Sequence, residues 1–132
     1  MFCKLLRAKI HRATVTRTDV NYVGSITIDE DLLRAAGIHP NEVVLVADLD
    51  NGARFETYVI KGRAGSGEVG INGAAAHLVN PGDRVIIFAH LLLHPDQVEG
   101  HFADVVLVDD RNRVADHLRY PSTLDLDAPI PA

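Results

Sequence analysis

At 132 residues, with 47% apolar and 23% charged positions, the chain has the size and composition of one soluble globular domain, which excludes a disordered or collagen-like polymer. Its longest apolar runs, Val85 to Ala89 and Val105 to Val108, fall far short of the roughly 20 residues that cross a bilayer as a helix. The net charge of −5 is unevenly spread: residues 1–24 hold five Lys/Arg against one Asp, and the remainder hold eight against seventeen.

From the N-terminus, residues 3 to 17 mix β-branched residues with charges and read as a strand. Its period of two puts Lys9, His11, Ala13 and Val15 on one face. Lys4, Arg7 and Lys9 interrupt the first apolar patches, so no secretory leader is expected and a cytoplasmic protein is. Asn21 to Gly24 is a turn, Ile26 to Ile28 resumes a strand, and Asp29 caps a short helix, Glu30 to Ala36, that Gly37 closes. Val43 to Asp48 and Arg54 to Ile60 form a hairpin about Asp50-Asn51-Gly52, because Asn-Gly accepts positive φ. After the loop Gly62 to Gly67 come the strand Val69 to Ile71, a single helical turn Ala74 to His77, and the turn Asn80 to Asp83. Arg84 to Leu92 and Val105 to Val108 are the last strands, and Asp109 to Asn112 turns after them. Residues 120–132 carry three prolines and are expected to be an ill-ordered tail. About seven short strands with two or three helical turns make a small barrel of one domain, 1–119.

Cys3 is the sole cysteine, so no intrachain disulfide and no Cys-rich metal site can form. His90, His94, His101 and His117 match no standard ligand spacing, and no metal is expected. Gly62 to Gly70 lacks the Gly-Lys-Ser/Thr ending of a phosphate-binding loop.

Chemistry concentrates at Tyr22-Val23-Gly24-Ser25. A serine hydroxyl on a strained turn can attack the preceding carbonyl when donors stabilise the oxyanion, converting amide to ester. Elimination across Ser25 Cα–Cβ then releases a chain ending in Gly24 and leaves dehydroalanine, which hydrolyses to a pyruvoyl group and ammonia. Glycine at 24 tolerates unusual backbone angles and leaves its carbonyl uncovered.

With Lys9 and His11 upstream, Arg54, Thr57 and Tyr58 in the middle, and Asn72-Gly73-Ala74-Ala75-Ala76-His77, this motif resembles the pyruvoyl-dependent aspartate 1-decarboxylases over about residues 1 to 110. The resemblance implies a double-psi β-barrel of six or seven strands with short helices. It implies cleavage between Gly24 and Ser25, and a covalent pyruvoyl cofactor made from Ser25 that forms a Schiff base with the substrate, without pyridoxal phosphate. Thr57 and Asn72 match processing positions. Lys9, His11, Arg54, Thr57, Gly73, Ala74 and Ala75 match substrate-binding positions, and Tyr58 matches the proton donor. The activity implied is L-aspartate to β-alanine and carbon dioxide, feeding pantothenate and coenzyme A synthesis. A homotetramer of two-chain protomers is implied too, with a possible accessory maturation protein, no nucleic acid and no membrane.

Planar, bidentate Arg54 suits the retained side-chain carboxylate, since gripping the departing one would stabilise a charge about to vanish; Lys9 is the second candidate. Thr57 and Tyr58 are adjacent and face opposite ways in a regular strand. Either the strand ends or bulges there, or the two serve neighbouring sites. Two rivals stand beside this reading: a nucleic-acid-binding barrel using Lys4, Arg7, Lys9, Arg12 and Arg17, and the same chemistry on glutamate or another amino acid.

Overall fold

A computed structural model describes residues 1–127 and 129–132; Ala128, within the expected tail, lies outside the described residues. The strands are β1 (Cys3–Thr14), β2 (Arg17–Asp19), β3 (Ser25–Asp29), β4 (Val43–Asp48), β5 (Arg54–Gly62), β6 (Val69–Asn72), β7 (Arg84–Leu93), β8 (Phe102–Val108), β9 (Val114–Pro121) and β10 (Ile130–Pro131), with one α-helix, α1 (Glu30–Ala36), and a 3₁₀ turn at Gly73–Leu78.

Hydrogen bonding orders them β10-β9-β8-β1-β7-β4-β5-β3-β6-β2. Because β2 continues β1 after two residues, the part of this order that runs from β1 to β2 closes on itself. The wall is therefore a closed ring of six: β1–β2, β7, β4, β5, β3 and β6. The Val15 and Thr16 N–H groups, donating at 2.8 Å to the Asp83 and Val69 carbonyls, stitch the corner where β1 becomes β2. Closure leaves no free edge in the ring, and the mainly β barrel with short helices is the one expected. Its interior is filled by the alternating inward residues of each strand, among them Ile10, Ile26, Ile28, Val44, Val46, Val59, Ile71, Val85 and Ile87, all at or near zero exposure.

Local chemistry sets α1 as the sequence predicts. Asp29 accepts from the Asp31 N–H at 2.8 Å, and Gly37, at φ 69°, ends the helix in the left-handed conformation while Leu32, Leu33 and Ala36 go into the core. The β4–β5 hairpin also forms about Gly52, at φ 77°.

Two features depart from the sequence reading. Lys9 and His11 share a face, but Ala13 and Val15 do not join them: both are buried, as are Ala8 and Ile10. The cause is a shift in the β1–β7 register between His11 and Ala13, where Arg12 takes φ 68°. One extra residue on one strand reverses which side the next residues face, so Lys9 and His11 point outward and Ala13 and Val15 inward. The chain also continues past the last expected strand. β8 returns as β9, paired from Val108↔Val114 to Phe102↔Pro121. Asn112 pins the connecting turn to the barrel by donating to the Thr14 and Gly67 carbonyls and accepting from the Thr14 N–H.

Candidate active site

Ser25 opens β3 and lies opposite Asn72, the last residue of β6. Both are fully buried. The Ser25 Oγ donates to the Val23 carbonyl at 2.8 Å and accepts from Asn72 Nδ2 at 2.9 Å. The same Nδ2 donates to Thr27 Oγ1 at 3.1 Å, since Thr27 stands two residues beyond Ser25 on the same face. Asn72 Oδ1 accepts from Arg17 Nη1 at 2.7 Å, and Arg17 Nε donates to Glu68 at 2.6 Å. A guanidinium can only donate. Arg17 therefore dictates which end of the Asn72 amide it meets, leaving the NH₂ for Ser25.

Two glycines let the backbone carry this arrangement. Gly73 has φ +77°, and a Cβ placed on it would lie 2.5 Å from Gly24 Cα and 2.9 Å from Gly24 N. Only glycine fits against the Gly24–Ser25 junction. Gly70 serves Arg17, whose guanidinium carbon would lie 2.8 Å from a Cβ there. Gly24 differs from the sequence expectation in part: its backbone is not among the positive-φ positions. The space that a side chain would occupy is open.

On the other flank of β3 lies β5, parallel to it with Ile26 beside Val59. Continuing that register back sets Tyr58 beside Ser25 and Thr57 beside Gly24. β5 pairs with β4 without a shift, so there is no bulge and the two residues face opposite ways. Thr57 stands across from buried Val44, on the interior side; Tyr58 shares the outer side with Ser25.

The cations occupy the same outer side. Directly paired residues lie on one face, which makes a row of His11, Ile86, Ala47 and Arg54 across β1, β7, β4 and β5, and beside it a row of Lys9, Phe88, Leu45 and Glu56. The Arg54 guanidinium rests over the Phe88 ring, 5.7 Å from its centroid. Among the described residues neither Lys9 nor Arg54 forms an ion pair. Burial first, then the charges of Lys9 and Arg12, hold the His11 imidazole below its ordinary 6.5. Its Nδ1 is buried without a hydrogen-bond partner.

Within one chain these groups fall into two sets. Asn72 and Gly73 meet the Gly24–Ser25 junction directly, with exposed Ala74 and half-buried Ala75 on the 3₁₀ turn that follows, while Thr57 and Tyr58 lie on the neighbouring strand β5 and face opposite sides of it. Lys9 and His11 stand on β1, which meets β7 and β8 and reaches the β6–β3 side of the ring only through its continuation β2. Arg17, Thr27 and Glu68 were missed in the sequence because the pairing of β2 and of β3 with β6 brings them together from distant positions. The signal that could have found Arg17 was the alternation of Arg17 with Asp19 beside a Gly-Ser turn. Its bonds to Glu68 and Asn72 commit its half-exposed guanidinium to this network, and Arg7 is spent on Glu42 and the Gly37 carbonyl. Nothing supports the nucleic-acid reading.

Fold and site together define a small closed β-barrel enzyme built around a buried serine at a turn-to-strand junction. The family model described as aspartate decarboxylase matches residues 1–115, and the chain belongs to that family. An aspartate 1-decarboxylase of Caldicellulosiruptor bescii is 56% identical over 114 residues, 86% of this chain and 89% of the relative. Those of Neisseria meningitidis, 55% identical over 91% of this chain and 94% of the relative, and Pelotomaculum thermopropionicum, 54% identical over 88% of each, agree. No helix among the described residues is long and apolar enough to cross a membrane.

Proposed function

We propose that the chain makes a pyruvoyl cofactor from its own Ser25 and converts L-aspartate to β-alanine and carbon dioxide, in the cytoplasm, for pantothenate and coenzyme A synthesis. The observation that carries this reading is the fully buried Ser25 hydroxyl, held between Asn72 Nδ2 and the Val23 carbonyl beside Gly24.

Attack of Ser25 Oγ on the Gly24 carbonyl forms an ester and frees the Ser25 amine, with Thr57 and Asn72 as donors to the oxyanion. Loss of the Ser25 Cα proton expels the Gly24 carboxylate, and water converts the resulting dehydroalanine to a ketone with release of ammonia. That ketone supplies an electrophile able to take up the electrons left when carbon dioxide departs. Arg54 grips the retained side-chain carboxylate bidentately, Lys9 and His11 add to the polar wall of the pocket, and the Gly73 to Ala75 backbone closes against the substrate. Tyr58, on the Ser25 side of β5, returns a proton to the carbon that lost the carboxylate. Lys9 and His11 point outward from β1 and, among the described residues, neither hydrogen-bonds to the Ser25 network, which favours a homotetramer in which a neighbouring subunit's outer face completes each site.

Intact-mass measurement tests this. Purified protein separates under denaturing conditions into residues 1–24 and 25–132, the larger piece blocked to N-terminal sequencing, whereas Ser25→Ala stays whole and inactive. Decarboxylation of aspartate by protein wholly uncleaved at Gly24–Ser25 would overturn the mechanism. In the same assay Tyr58→Phe cleaves normally but loses about 10² in turnover, while Thr57→Val stalls before cleavage.

A further inference from the structure

Away from Ser25, at the opposite end of β4, three carboxylates converge. Asp48 ends β4, Asp50 lies in the turn to β5, and Asp83 immediately precedes β7; one carboxylate oxygen from each falls within 4.8 Å of the others. Each is oriented by backbone N–H groups. Asp48 Oδ1 accepts from Asp50 and Asn51 at 2.7 and 3.2 Å, Asp50 Oδ2 from Arg84 at 2.9 Å, and Asp83 Oδ2 from Asn80 at 3.0 Å.

The other oxygen of Asp48 is the telling one. Asp48 is 2% exposed, and among the described residues no N–H or hydroxyl donates to its buried Oδ2; only the Asp83 carboxyl stands close enough to share a proton with it, and burial first, then Asp83, raise the Asp48 pKa above the ordinary carboxylate value. An uncompensated buried carboxylate oxygen is costly, and more so beside two further carboxylates. Side-chain cations do not relieve it: among the described residues no Lys, Arg or His forms an ion pair with any of the three. Arg84, the nearest in sequence, turns its guanidinium to Asp110 at 2.7 Å.

A shared proton can bridge two carboxylates but leaves the third unpaired. A metal ion serves all three. Two oxygens on opposite sides of a calcium ion at about 2.4 Å are about 4.8 Å apart, so three oxygens all within 4.8 Å of one another can share one ion. The donors are all oxygen, which selects hard cations over zinc or copper. Asp50 is exposed and Asp83 half-buried, so the cluster has a wet side for entry and for water ligands. We propose that Asp48, Asp50 and Asp83 form a binding site for one hard divalent cation, calcium or magnesium.

Such an ion ties the β4–β5 turn to the loop before β7. The Leu49 N–H already donates to the Arg84 carbonyl at 2.8 Å, and Asn51 Nδ2 donates to the Leu78 carbonyl at 2.7 Å. The clamp thus reaches the start of the strand bearing Arg54 and the end of the turn that begins at Gly73. The expectation of no metal weighed histidine and cysteine spacings, which carry no information about an all-carboxylate site.

The test uses full-length protein stripped with EDTA and dialysed, melted at neutral pH with calcium chloride, magnesium chloride, or sodium chloride of equal ionic strength. At least one divalent cation raises Tm by about 4 °C or more at 5 mM over the sodium control, and calorimetry gives about one ion per chain; comparing the two arms identifies the ion. Asp83→Asn keeps an oxygen for the Asn80 N–H and loses most of the shift, with affinity down at least about tenfold. Asp50→Asn does the same should Asp83→Asn fold poorly, while Asp116→Asn, an exposed acid elsewhere, keeps the full shift. A wild-type protein indifferent to both cations, or an undiminished shift in the folded Asp83→Asn or Asp50→Asn protein, overturns the site.

Discussion

The two outer regions of the barrel wall treat polar groups in opposite ways. Around Ser25 the polar groups are saturated: Glu68 neutralises Arg17, Arg17 fixes Asn72, and Asn72 serves both Ser25 and Thr27. Around Lys9, His11 and Arg54, two cations stand without acidic partners among the described residues, and the one imidazole has a bare Nδ1. A saturated network holds one geometry, which suits the self-cleavage proposed for Ser25. Unpaired cations leave their strongest interactions for an anionic ligand that comes and goes.

The contrast is broken most severely at Gly73. Gly73→Ala forces a Cβ to 2.5 Å from Gly24 Cα in a left-handed backbone, and the two effects together cost about 3 kcal/mol or more. Chemical denaturation should show that loss, and intact mass should show the Gly24–Ser25 bond surviving. Normal stability would mean that the two glycine backbones separate easily.

Arg17→Met is a milder cut into the same network. It strands the Asn72 carbonyl and Glu68, which costs about 1–2 kcal/mol because Arg17 is partly solvated. Freed to turn over, the Asn72 amide no longer always offers its NH₂ to Ser25. Cleavage, followed by mass over time, should slow about tenfold or more, and Arg17→Lys should restore charge without restoring the rate, lacking the fork that reaches Asn72 and Glu68 together.

The unpaired region gives the smallest effect, through pH. His11 has its folded-state pKa depressed, so its contribution to stability is present above 6.5 and is lost as pH falls through the folded value. His90 and His101, also depressed chiefly by burial, act in the same direction. Melting temperature should therefore decline as pH drops below about 6.5, and His11→Asn should flatten part of that decline. A slope unchanged by His11→Asn would assign the titration to the other two.

What the sequence made legible follows from the range of the interactions. Helix α1 and the Asp50 to Gly52 turn were readable because a cap, a left-handed stop and an Asn-Gly pair act within a few residues. The second task of Asp29 was not: its carboxylate also takes the Gly65 and Gly67 N–H groups across the barrel. The inward turn of Ala13 and Val15 escaped for the same reason, since the bulge at Arg12 exists only against β7. β9 escaped because its side chains are mostly exposed or half-buried and lack the alternation that marks a packed strand. At the site, Ser25, Asn72 and Gly73 could be named from motif matches. Their mutual contacts, and the part played by Arg17, came only with the pairing of β3 and β2 to β6.

The piece that cleavage would sever is not a peripheral arm. β1 pairs with β7 along nearly its whole length and with β8 on its other side, and Ala8, Ile10, Ala13 and Val15 all lie upstream of Gly24. Once the bond is cut, the barrel is a complex of two polypeptides whose cohesion obeys mass action. Unfolding becomes dissociation, and recovery depends on concentration. On the proposed maturation, a cleaved molecule that lost its first strand would regain its shape only by capturing another copy, because the serine that once joined the two would already be spent.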